Sequence, residues 1–309
     1  MALVEATSQR LDSPIRAAAV DFRGIGLYVL LTFGLTWTAD FIMIACGVRF
    51  DKPPIWAFAA LAGTMWFPAV CAYIIRRWVT RAGFGDAGMR IGPWRAYLVV
   101  YLAVPLVFMT VYLLSWLLGT ARLDPSLSSW LAQVRAVVGP AFPTEAIPKP
   151  RVLLPIVLVA SLSFAPLQNT LLTFGEEFGW SGYLLPKLLP LGKWRAAVLY
   201  GLIWGLWHAP IIAKGYNYPG HPIAGVQLMC VFTIAAALIQ ASLRLRYGSV
   251  FLTTWLHACV NAQGRGIFPM LFAVANPLWG GITSTLGVAL TGVIGAFLLA
   301  WSPETQKRT

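Results

Sequence analysis

The chain has 309 residues, of which 58% are hydrophobic and 11% are charged, and its formal net charge is +12. Apolar runs of about 20 residues recur along it, and this is the length at which a helix spans the hydrocarbon core of a bilayer. The composition excludes a soluble globular protein and predicts an all-α, polytopic integral membrane protein. The basic residues are spread over the loops without an aromatic-basic recognition stripe, so we expect membrane lipids, and no nucleic acid, as their partners.

Hydropathy divides the chain into three parts. We expect a leader at 1–23, a transmembrane domain at 24–302 and a tail at 303–309. The first apolar run is too long for a signal peptide, so no cleaved signal is expected. Within the transmembrane domain the apolar runs predict about eight helices, at 24–46, 54–75, 96–118, 152–180, 196–213, 222–241, 249–268 and 279–300.

The distribution of basic residues predicts the orientation. With eight spans, 15 of the 23 Lys and Arg residues lie on the side of the two termini and 8 lie on the other side. Because cytoplasmic loops carry the excess of Lys and Arg, both termini are predicted to be cytoplasmic. We expect the membrane to be the cytoplasmic membrane of a bacterium.

Ionisable side chains within the spans mark the candidate site. Only three acidic residues lie in the apolar runs, Asp40, Glu176 and Glu177, and the last two are adjacent. The later spans contribute His208 and His257. A carboxylate or imidazole in hydrocarbon is costly, so its presence there indicates a functional site with a partner nearby.

Helical spacing pairs further residues with the two histidines. Residues four apart share a helix face, so Trp204 should lie over His208, and Asn261 should lie beside His257. A buried carboxylate can act as a general base, and an imidazole can relay the proton. The N–H groups of Asn and His are the donors that an oxyanion hole needs. This set predicts attack of water on a peptide carbonyl within a membrane cavity.

Three motifs carry a resemblance to a known family. They read FGEEFGWSGYLLP from residue 174, GLIWGLWHAP from residue 201 and HACVN from residue 257. The set resembles the CAAX prenyl endopeptidase and bacteriocin-processing family, whose eukaryotic member is the Ras-converting enzyme. That family has a double glutamate followed by arginine, an aromatic residue four before a histidine, and a histidine four before Asn or Asp. The resemblance covers a core of about 168–266.

The resemblance implies an intramembrane endopeptidase, a hydrolase acting on a membrane-associated peptide or protein. Glu176 would be the base that activates water, assisted by His208, and His257 and Asn261 would stabilise the oxyanion. Glu177 would support them without touching the substrate. No cofactor is required on this interpretation. Zinc is the alternative, because two histidines and one carboxylate could leave an open coordination position, and the ligands would then be Glu176, His208 and His257.

One position departs from the family pattern. The family has arginine four residues after the second glutamate, and this chain has Ser181 there. Glu177 is then protonated, or another cation replaces the arginine, or the site has lost its activity. Arg265 is a candidate replacement because it continues the stripe of His257 and Asn261 by one turn. The alternative for Arg265 is an interfacial arginine at the end of a span.

Two other functions stay open. The polar groups could hold helices together in an inactive, partner-binding relative, or they could relay protons or ions in a transporter, although no internal repeat is evident.

The segment GWSG at 179–182 looks like the G-x-S-G of rhomboid serine proteases, but the other rhomboid motifs are in the wrong order, and we interpret the match as accidental. Prenylated CAAX ends, bacteriocin precursors, peptide pheromones and membrane regulators are equally open as substrates.

Overall fold

The protein is mostly helical in the computed structural model, which describes residues 20–139 and 147–304. Most of the predicted leader and tail lie outside the described residues. In chain order the helices are α1 (Phe22–Ala45), α2 (Ile55–Thr64), α3 (Phe67–Ile74), α4 (Trp94–Leu117), α5 (Ser128–Val138), α6 (Pro150–Leu162), α7 (Phe164–Gly179), α8 (Leu185–Leu188), α9 (Lys193–Trp207), α10 (Ala209–Ala213), α11 (Pro222–Tyr247), α12 (Val250–Gly264), α13 (Ile267–Leu271) and α14 (Thr285–Ala300).

The membrane class is confirmed, but the count of eight spans is not. Among the described residues, four helical segments are long and apolar enough to cross a membrane: Phe22–Ala45, Ile55–Val79, Trp94–Leu117 and Pro222–Tyr247. A fifth is formed if α6 and its continuation Phe164–Leu191, which meet at a 45° bend, count as one span. Every predicted apolar run contains a helix, but α9, α12 and α14 have only 15 or 16 residues.

Two helices end in π-helical turns, which often occur at functional sites. One follows α3 at Ile75–Val79, and the other follows α7 at Trp180–Leu184. Pro186 lies two residues after the end of the second turn and has no N–H to donate to the carbonyl of Gly182 four residues earlier. The buried guanidinium of Arg76 donates to that carbonyl instead, at 2.7 Å. A side chain from α3 and its π turn therefore supports the turn that follows the two glutamates.

Glycines allow α9 and α11 to approach closely. A Cβ at Gly201 would come within 2.4 Å of Ile234 Cα, and one at Gly205 would come within 2.6 Å of Cys230 Cα. This small-xxx-small spacing is a common means of bringing helix backbones together in membranes. The packing sets the side chains of α9 beside those of α11, while α12 packs against both α7 and α4.

A short antiparallel ribbon joins two of the connecting segments. It consists of β1 (Ala121–Leu123) and β2 (Phe272–Val274), with Arg122 opposite Ala273.

Candidate active site

Glu176 and Glu177 lie on α7 inside the helical bundle, and their exposed fractions are 3% and 0%. Gly175 and Gly179 flank them and allow α7 to pack against the residues around the start of α3. A Cβ at Gly175 would come within 2.7 Å of Met65 O. Neighbouring residues of a helix point about 100° apart, so the two carboxylates reach different partners.

Trp204 connects Glu176 with both histidines. Its indole Nε1 donates a hydrogen bond to Glu176 Oε2 at 3.0 Å. The centre of its ring lies 5.2 Å from that of His257, nearly perpendicular to it, and 6.3 Å from that of His208. The structure therefore brings these three predicted catalytic residues around one buried indole.

His208 lies directly after α9, and its contacts define its tautomer. Its Nδ1 is 2.9 Å from the backbone oxygen of Trp204. A carbonyl oxygen can only accept a hydrogen bond, so Nδ1 donates the proton and Nε2 remains an acceptor in the neutral ring. The ring also packs edge-on against Trp207, with 4.7 Å between ring centres.

Glu177 contacts a different group of side chains. Its Oε1 accepts from Gln240 Nε2 at 2.9 Å and lies 3.0 Å from His257 Nδ1. The hydroxyl of Tyr200 donates in turn to Gln240 Oε1. Within the described part of the chain, Glu177 Oε2 has no hydrogen-bond partner. Glu177 thus holds one nitrogen of His257, and Asn261 lies one turn further along α12, half-buried.

The structure does not bring Arg265 to Glu177. Arg265 is exposed, lies over the ring of Phe58 at 5.5 Å and donates to the hydroxyl of Tyr216. The prediction extended the helical stripe of His257 and Asn261 by one more turn. The helix α12 ends at Gly264, so Arg265 lies outside it.

A different arginine lies beside Ser181. Arg244, 2% exposed, donates from Nε to the backbone oxygen of Ser181 at 3.0 Å. The hydroxyl of Ser181 donates to the backbone oxygen of Glu177 and lies 2.6 Å from Thr253 Oγ1. A cation therefore does stand at this position, but it comes from α11 and contacts the backbone.

The possible zinc ligands do not form a metal-holding group. Over residues 20–139 and 147–304, no three His, Cys, Asp or Glu side chains are placed so that they could hold a metal ion together. Glu176, His208 and His257, the predicted zinc ligands, are therefore not arranged so that they could bind one metal ion together.

Sequence reasoning missed Gln240, Tyr200 and Arg244. The span containing Gln240 was predicted to end at residue 241, so Arg244 was counted as a loop residue, but α11 continues to Tyr247. A signal was present for Gln240, because a carboxamide within an apolar run must find a hydrogen-bond partner inside the bundle.

Comparison with known proteins agrees with the motifs. Residues 152–263 match the family model described as Type II CAAX prenyl endopeptidase Rce1-like. This segment is similar to the Rce1-like family. It contains Glu176, His208, His257 and Asn261, and the resemblance predicted from the motifs is confirmed for this segment.

A curated relative gives the same result over a limited length. CAAX prenyl protease 2 of Methanococcus maripaludis is 29% identical over 121 residues, which are 39% of this chain and 35% of that protein. The chain thus spans about a third of the length of the curated relative it matches. The Rce1-like assignment therefore describes the part of the chain that holds the candidate site.

Proposed function

We propose that this chain is an intramembrane endopeptidase that hydrolyses a peptide bond by means of a water molecule activated by a glutamate. The observation that carries the proposal is the set of contacts made by Trp204, which donates to Glu176 while its ring packs against His257 and His208. Ionisable groups gathered inside spans are costly and are retained for function. The Rce1-like match supplies the class of reaction.

Glu176 is the proposed general base. Trp204 holds its Oε2, which leaves Oε1 to take a proton from the attacking water. The water oxygen bonds to the peptide carbonyl carbon, and the C–N bond breaks when a proton reaches the leaving amine. His208 assists through Nε2, because its Nδ1 is bonded to the Trp204 carbonyl.

His257 and Asn261 are the proposed donors to the oxyanion. His257 Nδ1 faces Glu177, so Nε2 is the ring nitrogen left to face the substrate. Nε2 donates only when it carries a proton, and a second proton must then lie between Nδ1 and Glu177 Oε1. A pair of imidazolium and carboxylate meets this requirement with no net charge, and hydrogen-bond donors aimed at a developing oxyanion are among the largest contributions to catalysis.

The proposed substrate is a membrane-associated peptide or protein, and no metal or other cofactor takes part. The matched relative is named a CAAX prenyl protease, so a peptide with a prenylated C-terminal cysteine motif is the first to test. We further propose that the protein lies in a bacterial cytoplasmic membrane with both termini in the cytoplasm.

The test is Glu176→Gln in protein reconstituted into lipid vesicles. The substrates are a farnesylated CAAX-type peptide, its unprenylated twin and a membrane-anchored propeptide, and products are identified by mass spectrometry. Loss of a general base should reduce cleavage about 10²- to 10⁴-fold. Glu304→Gln is the matched control, since Glu304 is 78% exposed and pairs with Lys193 near the C-terminus. Strong chelators should leave the activity intact.

Three results would contradict the proposal. Near-normal turnover by Glu176→Gln would remove Glu176 from the base role. No cleavage of any substrate by the wild-type protein, together with proton uptake into the vesicles that Glu176→Gln abolishes, would favour a proton-relay transporter. No cleavage and no uptake would favour an inactive partner-binding relative.

A further inference from the structure

A chain of buried hydrogen bonds ends at His257. The hydroxyl of Tyr200 donates to Gln240 Oε1, Gln240 Nε2 donates to Glu177 Oε1 at 2.9 Å, and the same carboxylate oxygen lies 3.0 Å from His257 Nδ1. Tyr200, Gln240 and Glu177 are at most 1% exposed. The four residues come from α9, α11, α7 and α12, so each link joins two different helices.

The two neighbours of Gln240 select the same orientation of its amide. If the amide were turned over, its oxygen would face the carboxylate oxygen of Glu177 and two acceptors would meet. With the oxygen toward Tyr200, the hydroxyl has an acceptor and the carboxylate has a donor. The orientation of Gln240 is therefore determined from both sides.

An amide donor at Glu177 favours the charged form of that carboxylate. A carboxylate at Oε1 retains the proton on His257 Nδ1, and the hydrogen bond at one ring nitrogen determines what the other nitrogen can do. The hydrogen bond between His257 Nδ1 and Glu177 also fixes the plane of the imidazole ring, because Nδ1 must point at Glu177 while the ring packs against Trp204.

We propose that Gln240, oriented by Tyr200, is a positioning residue that fixes Glu177 and thereby the protonation and ring orientation of His257. The hydrogen bonds alone support the positioning of His257. The catalytic consequence rests on the proposed function, in which Nε2 of the positioned ring donates to the oxyanion.

The chain provides matched controls for both residues. Gln263 is another buried glutamine, 2% exposed, but its Nε2 donates to the backbone oxygen of Ser161 at 2.8 Å. Tyr218 is another buried tyrosine, and its hydroxyl donates to the backbone oxygen of Thr283 at 2.7 Å. Both donate to backbone oxygens and not to Glu177 or His257, so their substitution measures the cost of losing a buried hydrogen bond alone.

The first measurement uses ¹⁵N-histidine NMR, which distinguishes protonated from unprotonated ring nitrogens. The chain has three histidines, and His208→Gln and His221→Gln assign the remaining signals to His257. In the wild type we expect both ring nitrogens of His257 to be protonated, as a pair of imidazolium and carboxylate requires. Gln240→Met should lower the protonated fraction of the His257 ring nitrogens, and Tyr200→Phe should give a smaller change in the same direction. Gln263→Met and Tyr218→Phe should leave the His257 signals unchanged.

The second measurement uses peptide cleavage. Loss of a hydrogen bond to a charged group should lower kcat of Gln240→Met about 10- to 100-fold, with KM nearly unchanged because Gln240 does not bind substrate. Unchanged His257 signals in both Gln240→Met and Tyr200→Phe would overturn the inference. If Gln240→Met fails to fold, Tyr200→Phe, which removes a single oxygen atom, decides alone. If the His257 signals change in these variants but the wild type cleaves none of the peptides, the positioning role is retained and the proposed function is rejected.

Discussion

Ser181 stands where the resembling family has arginine, and its surroundings explain what the serine does here. Its side chain is fully buried and joins α7 to Thr253 of α12, while its backbone oxygen accepts from Arg244. Arg244 already places a cation against the backbone of this position. A rhomboid-like mechanism needs a serine hydroxyl that the substrate can reach, and Ser181 is fully buried.

We therefore expect opposite outcomes from two substitutions of Ser181. Ser181→Ala loses the hydroxyl contacts and should cost about 1 kcal/mol of stability, the net value of one hydrogen bond, with little loss of cleavage. Ser181→Arg forces a long side chain and a second charge beside Arg244, and it should destabilise the protein strongly. Thermal unfolding and peptide cleavage check both results. Labelling of Ser181 by a fluorophosphonate, abolished in Ser181→Ala, would instead support a serine nucleophile.

The pairing of α9 with α11 determines how Trp204 and Gln240 are placed. The two helices touch backbone to backbone at Gly201, three residues before Trp204, and at Gly205, directly after it. A change in this spacing moves the indole that donates to Glu176 and also the helix that carries the amide donor for Glu177.

Gly205→Ala should therefore affect both stability and the site. Its new Cβ would lie 2.6 Å from Cys230 Cα, so the helices must separate, and overpacking of this kind costs about 1–3 kcal/mol. Gly34→Ala on α1 is the matched control, because its Cβ would meet no atom within 4 Å. Thermal unfolding in detergent measures the difference. An equal effect of both substitutions would show that helix propensity, and not the close contact, dominates.

One loop ties several helix ends together across the whole molecule. Asp86 pairs with Arg76 and with Lys187, the latter at 3.4 Å, and its backbone oxygen accepts from Arg244. The next turn of the loop contributes Gly88 O, which accepts from the backbone N–H of Val250 at the start of α12. Residues from four helical segments thus depend on the loop between α3 and α4.

The charge of Asp86 should make stability depend on pH. Burial alone would raise its pKa, but the Arg76 guanidinium and the Lys187 ammonium hold the pKa of Asp86 below its ordinary value of 3.8. A carboxyl with a lowered pKa stabilises the folded state above its unfolded pKa, and this contribution is lost as the pH falls through the folded value. Asp86→Asn should therefore be less stable than the wild type at pH 7, and the gap should narrow below about pH 4.

Asp51→Asn provides the comparison for that experiment. Asp51 pairs with Arg49, whose side chain is 76% exposed, and exposed pairs contribute little to stability. Unfolding temperatures between pH 3 and pH 7 measure both variants. A gap for Asp86→Asn that stays constant over this range would mean that its charge is not the source of the stability.

The sequence was sufficient for the membrane class and for the residues gathered around Trp204, because ionisable groups in apolar runs are rare and helical spacing is regular. It was insufficient for span counts, since broken helices such as α6 and α7 read as one continuous apolar run. It also missed the partners of Glu177. Gln240 lies 63 residues away along the chain, and only the packing of α7 against other helices shows that the two meet.

That separation along the chain has a consequence for synthesis. Gln240 and His257 leave the ribosome 63 and 80 residues after Glu177. At about 5–20 residues per second, Glu177 waits about 3–16 seconds for these partners. An unpaired carboxylate at the centre of an inserting helix costs about 2.5–3.5 kcal/mol, on the scale measured for charged residues at the translocon. Release of α7 into lipid should therefore be delayed until α11 and α12 have been made, so that the second half of the chain inserts as a group.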